Sequence, residues 1–305
     1  MLHFSPAPRL PKRQFSMNSQ GSIRADRTKE RVAEYFDQDP AGYADTYSHL
    51  DTASAFSFRK RRQAIVMGIL RSLKGGLILD VGCGPGIYAK PCVEQGFQYY
   101  GIDLSGQMIN EARRIFGSLT NAEFGVGDAQ HLPLPSNSVD GLLCLGMLEY
   151  VCREQEVAYL NEMARVLKPG GTIIFSFLNA SSPYWIWIEY FLPPITFLLV
   201  NLKAIFSKSK YVSFKDCLGE ELPTRKFRPG ERTKLLQAVG LSFRKKIYFS
   251  RNIFPSRGVP RQMVWVSSKV EHLLQTPLLK WLGMGFVIIA HKSAETDCKQ
   301  KVRFK

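Results

Sequence analysis

The chain has 305 residues, 45% hydrophobic and 12% aromatic, which excludes a disordered polymer and leaves room for one large domain, or one domain with a sizeable insertion. A formal net charge of +15 implies an anionic neighbour: nucleic acid, an acidic membrane surface or a phosphorylated substrate. Six cysteines (Cys83, Cys92, Cys144, Cys152, Cys217, Cys298) show neither CxxC spacing nor a histidine at ligand spacing, so no metal site and no disulfide framework is expected, only reduced cytoplasmic thiols.

Residues 1–26 read as a disordered basic tail. The stretch carries Arg9, Lys12, Arg13 and Arg24, has no apolar core of a secretory signal, and Pro6, Pro8 and Pro11 break any amphipathic helix of a transit peptide. Residues 27–73 read as helical, with Tyr35, Phe36, Tyr43, Tyr47, Phe56 and Phe58 strewn through them and a stop at Gly75-Gly76. Leu77–Val81 is a short apolar run bounded by glycines, as a buried parallel strand should be. A Gly-rich turn and a helical stretch to about Gln95 follow. Tyr99–Asp103 is the second strand, Gly106–Phe116 a helix, Ala122–Asp128 the third strand and Val139–Leu145 the fourth.

Glu154–Leu167 is then a helix stopped by Lys168-Pro169-Gly170-Gly171, and Thr172–Leu178 the fifth strand. Strands alternating with helices at this spacing predict an α/β fold with a parallel sheet covered on both faces. Pro229–Val239 is a further helix closed by Gly240, with Leu241–Phe249 and Gly285–Lys292 as two more strands, and residues 293–305 form a second basic tail.

The sharpest local signal is Asp80-Val81-Gly82-Cys83-Gly84-Pro85-Gly86, directly after a strand and before a helix. Glycines are needed where the backbone turns steeply and must approach a ligand with no Cβ in the way. Asp103 ends the next strand, where an acid can accept both ribose hydroxyl protons, and Asp128, followed by Ala129, could hold an adenine amino group. A nicotinamide dinucleotide site would need GxGxxG. Here its third glycine falls on Ile87, which would crowd the close approach that a pyrophosphate requires. A cofactor with a sulfonium and an amino-acid tail fits the alternating GxGxG better.

In these residues the chain resembles a class I (Rossmann-like) S-adenosylmethionine-dependent methyltransferase, of the group that acts on quinones, sterols and other small molecules. Asp80, Gly82, Cys83, Gly84 and Gly86 lie in the stretch that matches the family's first motif. Asp103 and Leu104, within Gly101-Ile102-Asp103-Leu104-Ser105, match the ribose-binding acid, and Asp128-Ala129 the adenine-side pair. Leu132-Pro133-Leu134-Pro135 running into Val139-Asp140 matches the approach to the fourth strand, which Leu145 ends on the cofactor side. Leu167-Lys168-Pro169-Gly170-Gly171 matches the turn into the fifth. The resemblance implies S-adenosyl-L-methionine as cofactor and a seven-stranded, mostly parallel sheet whose last strand is antiparallel, with helices on both faces. It also implies one domain over 27–292: a helical lid over 27–73, a cofactor-binding core over 77–178, an apolar acceptor-side insertion over 183–228 and C-terminal strands over 229–292. Many relatives place a histidine after the fourth strand, whereas this chain reads Met147-Leu148-Glu149-Tyr150.

Methyl transfer from a sulfonium is an in-line displacement in which alignment provides much of the rate and a general base is optional. The catalytic residue is therefore left open, with His131, Glu149 and Tyr150 as candidates near the strand ends. The acceptor reads as a small or lipid-like, amphipathic molecule. After the fifth strand, residues 183–200 include Trp185, Trp187 and Pro193-Pro194, followed by Lys203, Lys208 and Lys210. That pattern suits a pocket lid or an interfacial helix against an anionic membrane surface rather than a span, so the protein is placed in the cytoplasm, peripheral to a membrane. Two rivals stand beside this reading. One is an RNA methyltransferase using the basic surface, prompted by Arg59-Lys60-Arg61-Arg62. It lacks the Asn/Asp-Pro-Pro-aromatic motif and the Pro-Cys nucleophile of base-modifying enzymes, and a solvated helix face is the ordinary meaning of such a run. The other is a non-catalytic S-adenosylmethionine-binding protein on the same fold.

Overall fold

A computed structural model describes residues 20–48, 58–182, 224–249 and 283–293. The chain runs through helices α1 (Gln20–Asp37), α2 (Pro40–Ser48) and α3 (Phe58–Leu70) before the first strand, β1 (Gly76–Val81). Then come α4 (Ala89–Glu94), β2 (Phe97–Asp103), α5 (Gly106–Phe116), β3 (Ala122–Val126) and β4 (Val139–Leu145). A 3-10 turn at Leu148–Tyr150 leads to α6 (Glu156–Val166) and β5 (Leu167–Leu178); the rest is α7 (Pro229–Ala238), β6 (Leu241–Phe249) and β7 (Gly285–Lys292).

The seven strands form one sheet in the order β3-β2-β1-β4-β5-β7-β6. Strands β1 to β5 pair in parallel, and β7 runs antiparallel between β5 and β6. This is the expected mostly parallel sheet with an antiparallel last strand. Strands β4 and β7 each feed two cores, because successive side chains point to opposite faces. In β4, Leu143 and Leu145 join α3, α4 and α5 on one face, while Leu142 and Cys144 join α6 and α7 on the other. In β7, Val287 and Ile289 divide from Phe286, Ile288 and Ala290 in the same way. The strand order reverses between β1 and β4, and a ligand crevice opens at the carboxyl ends of the strands around such a reversal.

Several boundaries differ from the sequence reading. The first helix begins at Gln20, inside the span that the sequence reads as a basic tail. The helical run over 27–73 is divided rather than continuous. Pro40 opens α2, and Asp39 caps it by accepting from Gly42 N at 2.9 Å. Strand β5 starts at Leu167, five residues early, because Leu167 pairs with Val139 and the pairing shifts register before Gly141. Strand β3 ends at Val126 and leaves Asp128 in a loop, where its own carboxylate accepts from Gln130 N at 2.9 Å. Most of the apolar insertion, 183–223, lies outside the described residues, as do residues 294–305. The insertion's return is visible: Phe227 bridges to Asn179, so the chain leaves and rejoins the fold beside the end of β5.

Candidate functional site

The turn after β1 is a backbone device. Gly82 N and Cys83 N both donate to Ile102 O (2.8 and 3.1 Å), Gly84 N donates to Asp103 Oδ2 (2.8 Å) and Gly86 N to Cys83 O (3.1 Å). Gly84 and Gly86 both have positive φ (54° and 74°), but for different purposes. A Cβ on Gly86 would lie 2.6 Å from the Phe124 ring, so that glycine permits helix-to-strand packing. A Cβ on Gly84 would meet only the Tyr43 ring, at 3.8 Å, so Gly84 turns a bare backbone toward open space.

Two acids line that space and a third lies behind the turn. Both oxygens of Asp103 are held by backbone N–H groups, Oδ2 by Gly84 and Oδ1 by Ser105 at 2.9 Å. Burial pushes the Asp103 carboxyl up, and those N–H groups pull it back. Asp128 accepts from Lys29 Nζ on Oδ2 at 2.7 Å. Asp80 lies behind the turn, 2% exposed, and accepts from the Tyr99 hydroxyl at 2.6 Å. Burial, opposed by that hydrogen bond and by Arg62, pushes Asp80 up to about 7.

The space is a cavity roofed by Lys29, Val32 and Phe36 of α1 and Tyr43 of α2. Its side wall is Gly146, Met147, Tyr150 and Val151, after β4. The Phe36 ring meets Tyr150 edge-on at 5.3 Å and Tyr43 at 5.8 Å, giving an aromatic corner opposite the acids. Asp37, at the end of α1, accepts from Ser105 Oγ (2.5 Å) and Gln107 N (3.1 Å), so the roof is fastened to the start of α5.

Of the ten residues the sequence assigns to a cofactor, Gly82, Gly84, Asp103, Leu104, Asp128, Ala129 and Leu145 line this one cavity. Asp80, Cys83 and Gly86 do not: they brace the turn from behind, Cys83 packing against Gly101. The three catalytic candidates separate. His131 is exposed and off the cavity wall. Glu149 is buried behind it, accepting from Leu178 N at 2.9 Å, and burial pushes it up to about 8. Tyr150 lines the cavity, but burial raises its hydroxyl above the ordinary range, so it stays protonated at neutral pH. The basic run corrects the sequence reading. Arg62 is buried, bonded to Tyr47 Oη, and Arg59 stacks on Tyr43 and Tyr47, so these two residues of the run pack into the roof instead of forming a solvated face.

Residues 79–175 match the family model described as a methyltransferase domain. The chain carries a class I, S-adenosylmethionine-dependent methyltransferase domain. It is 34% identical over 110 residues to a ubiquinone biosynthesis O-methyltransferase of Xanthomonas campestris, covering 35% of this chain and 45% of that one. It is 34% identical over 108 residues to a malonyl-[acyl-carrier protein] O-methyltransferase of Yersinia pestis, covering 35% and 39%. The match thus spans under half the length of either relative. The solved magnesium protoporphyrin IX methyltransferase of Synechocystis with bound S-adenosylhomocysteine shares the fold, with a TM-score of 0.52 and 19% identity over 87% of this chain and all of that one.

At this turn the geometry suits a sulfonium donor better than a dinucleotide. A pyrophosphate needs free N–H groups at such a turn, yet those of Gly82, Cys83, Gly84 and Gly86 are all engaged within the protein. The Asp103 carboxylate on the cavity wall suits a ligand carrying positive charge instead. Lys29 and Arg62 are the site's surprises. No local pattern marks either one, since Lys29 reaches Asp128, 99 residues away, and Arg62 reaches Tyr47, Leu145 and Ser176, 15, 83 and 114 residues away. Among the described residues, no group of three or more His, Cys, Asp or Glu could hold a metal ion, and no helix is long and apolar enough to cross a membrane.

Proposed function

We propose that the protein transfers the methyl group of S-adenosyl-L-methionine to a small, amphipathic acceptor. The observation that carries this reading is the convergence, in one roofed cavity, of the bare Gly84 backbone, Asp103 and Asp128. In this reading Asp103 takes the ribose hydroxyls on its free lone pairs, Asp128 and Ala129 border the adenine, and Gly82 and Gly84 face the amino-acid tail. The methyl would then point toward the corner of Phe36, Tyr43, Met147 and Tyr150. In transfer the acceptor's lone pair forms the new bond as the methyl–sulfur bond breaks, and the sulfur keeps the electron pair. None of the three candidate bases faces the cavity ionised, so alignment and exclusion of water supply the rate, with an acceptor whose nucleophile ionises readily.

The apolar corner supports an amphipathic acceptor, as does the return of the 183–223 segment beside it. Arg225 N donates to Glu149 O at 2.8 Å and Arg225 Nη1 to Val151 O at 2.6 Å, tying the returning chain to the cavity wall. The names of the quinone-pathway and acyl-carrier relatives are in keeping with such an acceptor. We further propose that residues 183–206 dock on an anionic membrane surface. Incubation with labelled donor, followed by separation of lipid, RNA and protein fractions, tests the reading. Label in the lipid or small-molecule fraction supports it, label in RNA moves the assignment to nucleic acid, and donor binding without transfer to any fraction leaves a binding protein.

A further inference from the structure

We infer that Arg62 is a positioning residue that couples the roof helix α2 to the wall of the cavity, and that donor binding depends on its guanidinium fork. The inference rests on the donor site proposed above. Arg62 belongs to a run of four basic residues on α3, yet it is 7% exposed. Burying a guanidinium is costly unless its protons are matched. The acceptors come from three different elements: Tyr47 Oη on α2 at 2.8 Å, Leu145 O at the end of β4 at 3.3 Å, and Ser176 Oγ on β5 at 3.4 Å.

Two of these contacts bear on the cavity. Leu145 and Gly146 are cavity wall. A Cβ on Gly146 would lie 3.1 Å from Arg62 Nη1, so the guanidinium packs directly behind that wall. On the other side, Tyr47 sits one helical turn after Tyr43, whose ring covers Gly84. Arg59 stacks on both rings, at 5.4 and 5.1 Å, and completes the hold on α2. The Arg62 charge also acts on the buried Glu149 and Asp80 carboxyls, working against the burial that raises both. Arg62 therefore sets the height of Tyr43 above the glycine turn by bridging α2 to β4 and β5. A lysine would keep the charge but offer a single point instead of a fork.

The test measures S-adenosylmethionine affinity by calorimetry and amide hydrogen exchange over residues 40–48, in wild type, Arg62→Lys, Tyr47→Phe and the double variant. Arg62→Lys should weaken donor binding about tenfold or more, on the scale that a small misplacement costs, and speed exchange in α2. Tyr47→Phe should do the same to a smaller degree, and the double variant should be no worse than Arg62→Lys, because both act on one link. Wild-type affinity and unchanged α2 exchange in Arg62→Lys would overturn the inference. If that variant does not fold, Tyr47→Phe decides by the same two readouts, since it removes one hydroxyl only. If the wild type binds no S-adenosylmethionine, the donor-site reading fails, and with it the dependence of binding on Arg62, while α2 exchange in the variants still decides whether the strut exists.

Discussion

The ammonium of Lys29 lies 2.7 Å from Asp128 Oδ2, an ion pair across the cavity wall between residues 99 apart in sequence. Together with the grip of Asp37 on Ser105 and Gln107, it fastens α1 across the cavity at two points. Lys29→Met keeps the apolar stem and removes the charge. It should weaken S-adenosylmethionine binding two- to fivefold, as about 0.5–1 kcal/mol for a partly exposed pair implies, and the wild-type affinity should fall toward that of the variant in high salt. Titrations at low and high ionic strength check both. Tighter binding by Lys29→Met would mean that the lysine competes with the donor for Asp128 instead of closing over it.

Asp103 is the acid whose loss should weaken donor binding most directly. Its carboxylate holds Gly84 N and Ser105 N, and its remaining lone pairs face the cavity. Asp103→Ala should weaken S-adenosylmethionine binding by about 1–3 kcal/mol, the range for lost hydrogen bonds to a buried charged group. Calorimetry that finds unchanged affinity would remove the ribose from this position, and tight binding of a nicotinamide dinucleotide would remove the donor.

Glu149 predicts how stability follows pH. Burial raises its folded-state value from 4.5 to about 8, and that of Asp80 from 3.8 to about 7. Between the unfolded and folded values the native state holds a proton that the unfolded chain has released. Stability is therefore greatest below about pH 4, as far as these two groups decide it, and falls as pH rises toward 8. Glu149→Gln keeps an acceptor for Leu178 N and removes one of the two groups, so its thermal midpoint should fall less between pH 5 and 8 than that of wild type. Parallel slopes in the two proteins would show that Glu149 is already ionised in the native state.

The sheet was legible in the sequence because its strands are apolar runs between glycine-rich turns, a local signal that needs no tertiary information. The same holds for Gly84 and Asp103, which a strand–turn–helix pattern places at adjacent strand ends. Lys29 and Arg62 were not legible. Each is a basic residue on a helix, and what distinguishes it is an acceptor brought close only when the sheet and the roof have assembled. Arg62 illustrates the failure well: its three basic neighbours in sequence suggest a solvated face, and only packing against Tyr47 and Leu145 reverses that. Asp80 and Gly86 were legible as members of the glycine motif but not as its rear braces, because spacing alone does not say which way a residue faces.

That difference in facing yields the sharpest contrast. Gly84 and Gly86 both sit in the left-handed region, where alanine costs roughly 1–2 kcal/mol. At Gly86 a methyl would also collide with the Phe124 ring at 2.6 Å and the Ala112 methyl at 3.2 Å, inside the packed face shared by α5 and β3. Gly86→Ala should therefore be overpacked by about 1–3 kcal/mol more than the backbone strain alone and melt well below wild type. At Gly84 the new methyl meets nothing nearer than Tyr43 at 3.8 Å, so Gly84→Ala should lose only the backbone strain and keep a cooperative melt. Its methyl occupies the space where the donor must approach the turn, and S-adenosylmethionine binding should fall by tenfold or more, on the order of 1.4 kcal/mol. Melting curves with and without donor separate the two variants. A Gly84→Ala protein that binds and is stabilised by donor like wild type would show that the ligand does not lie against this turn.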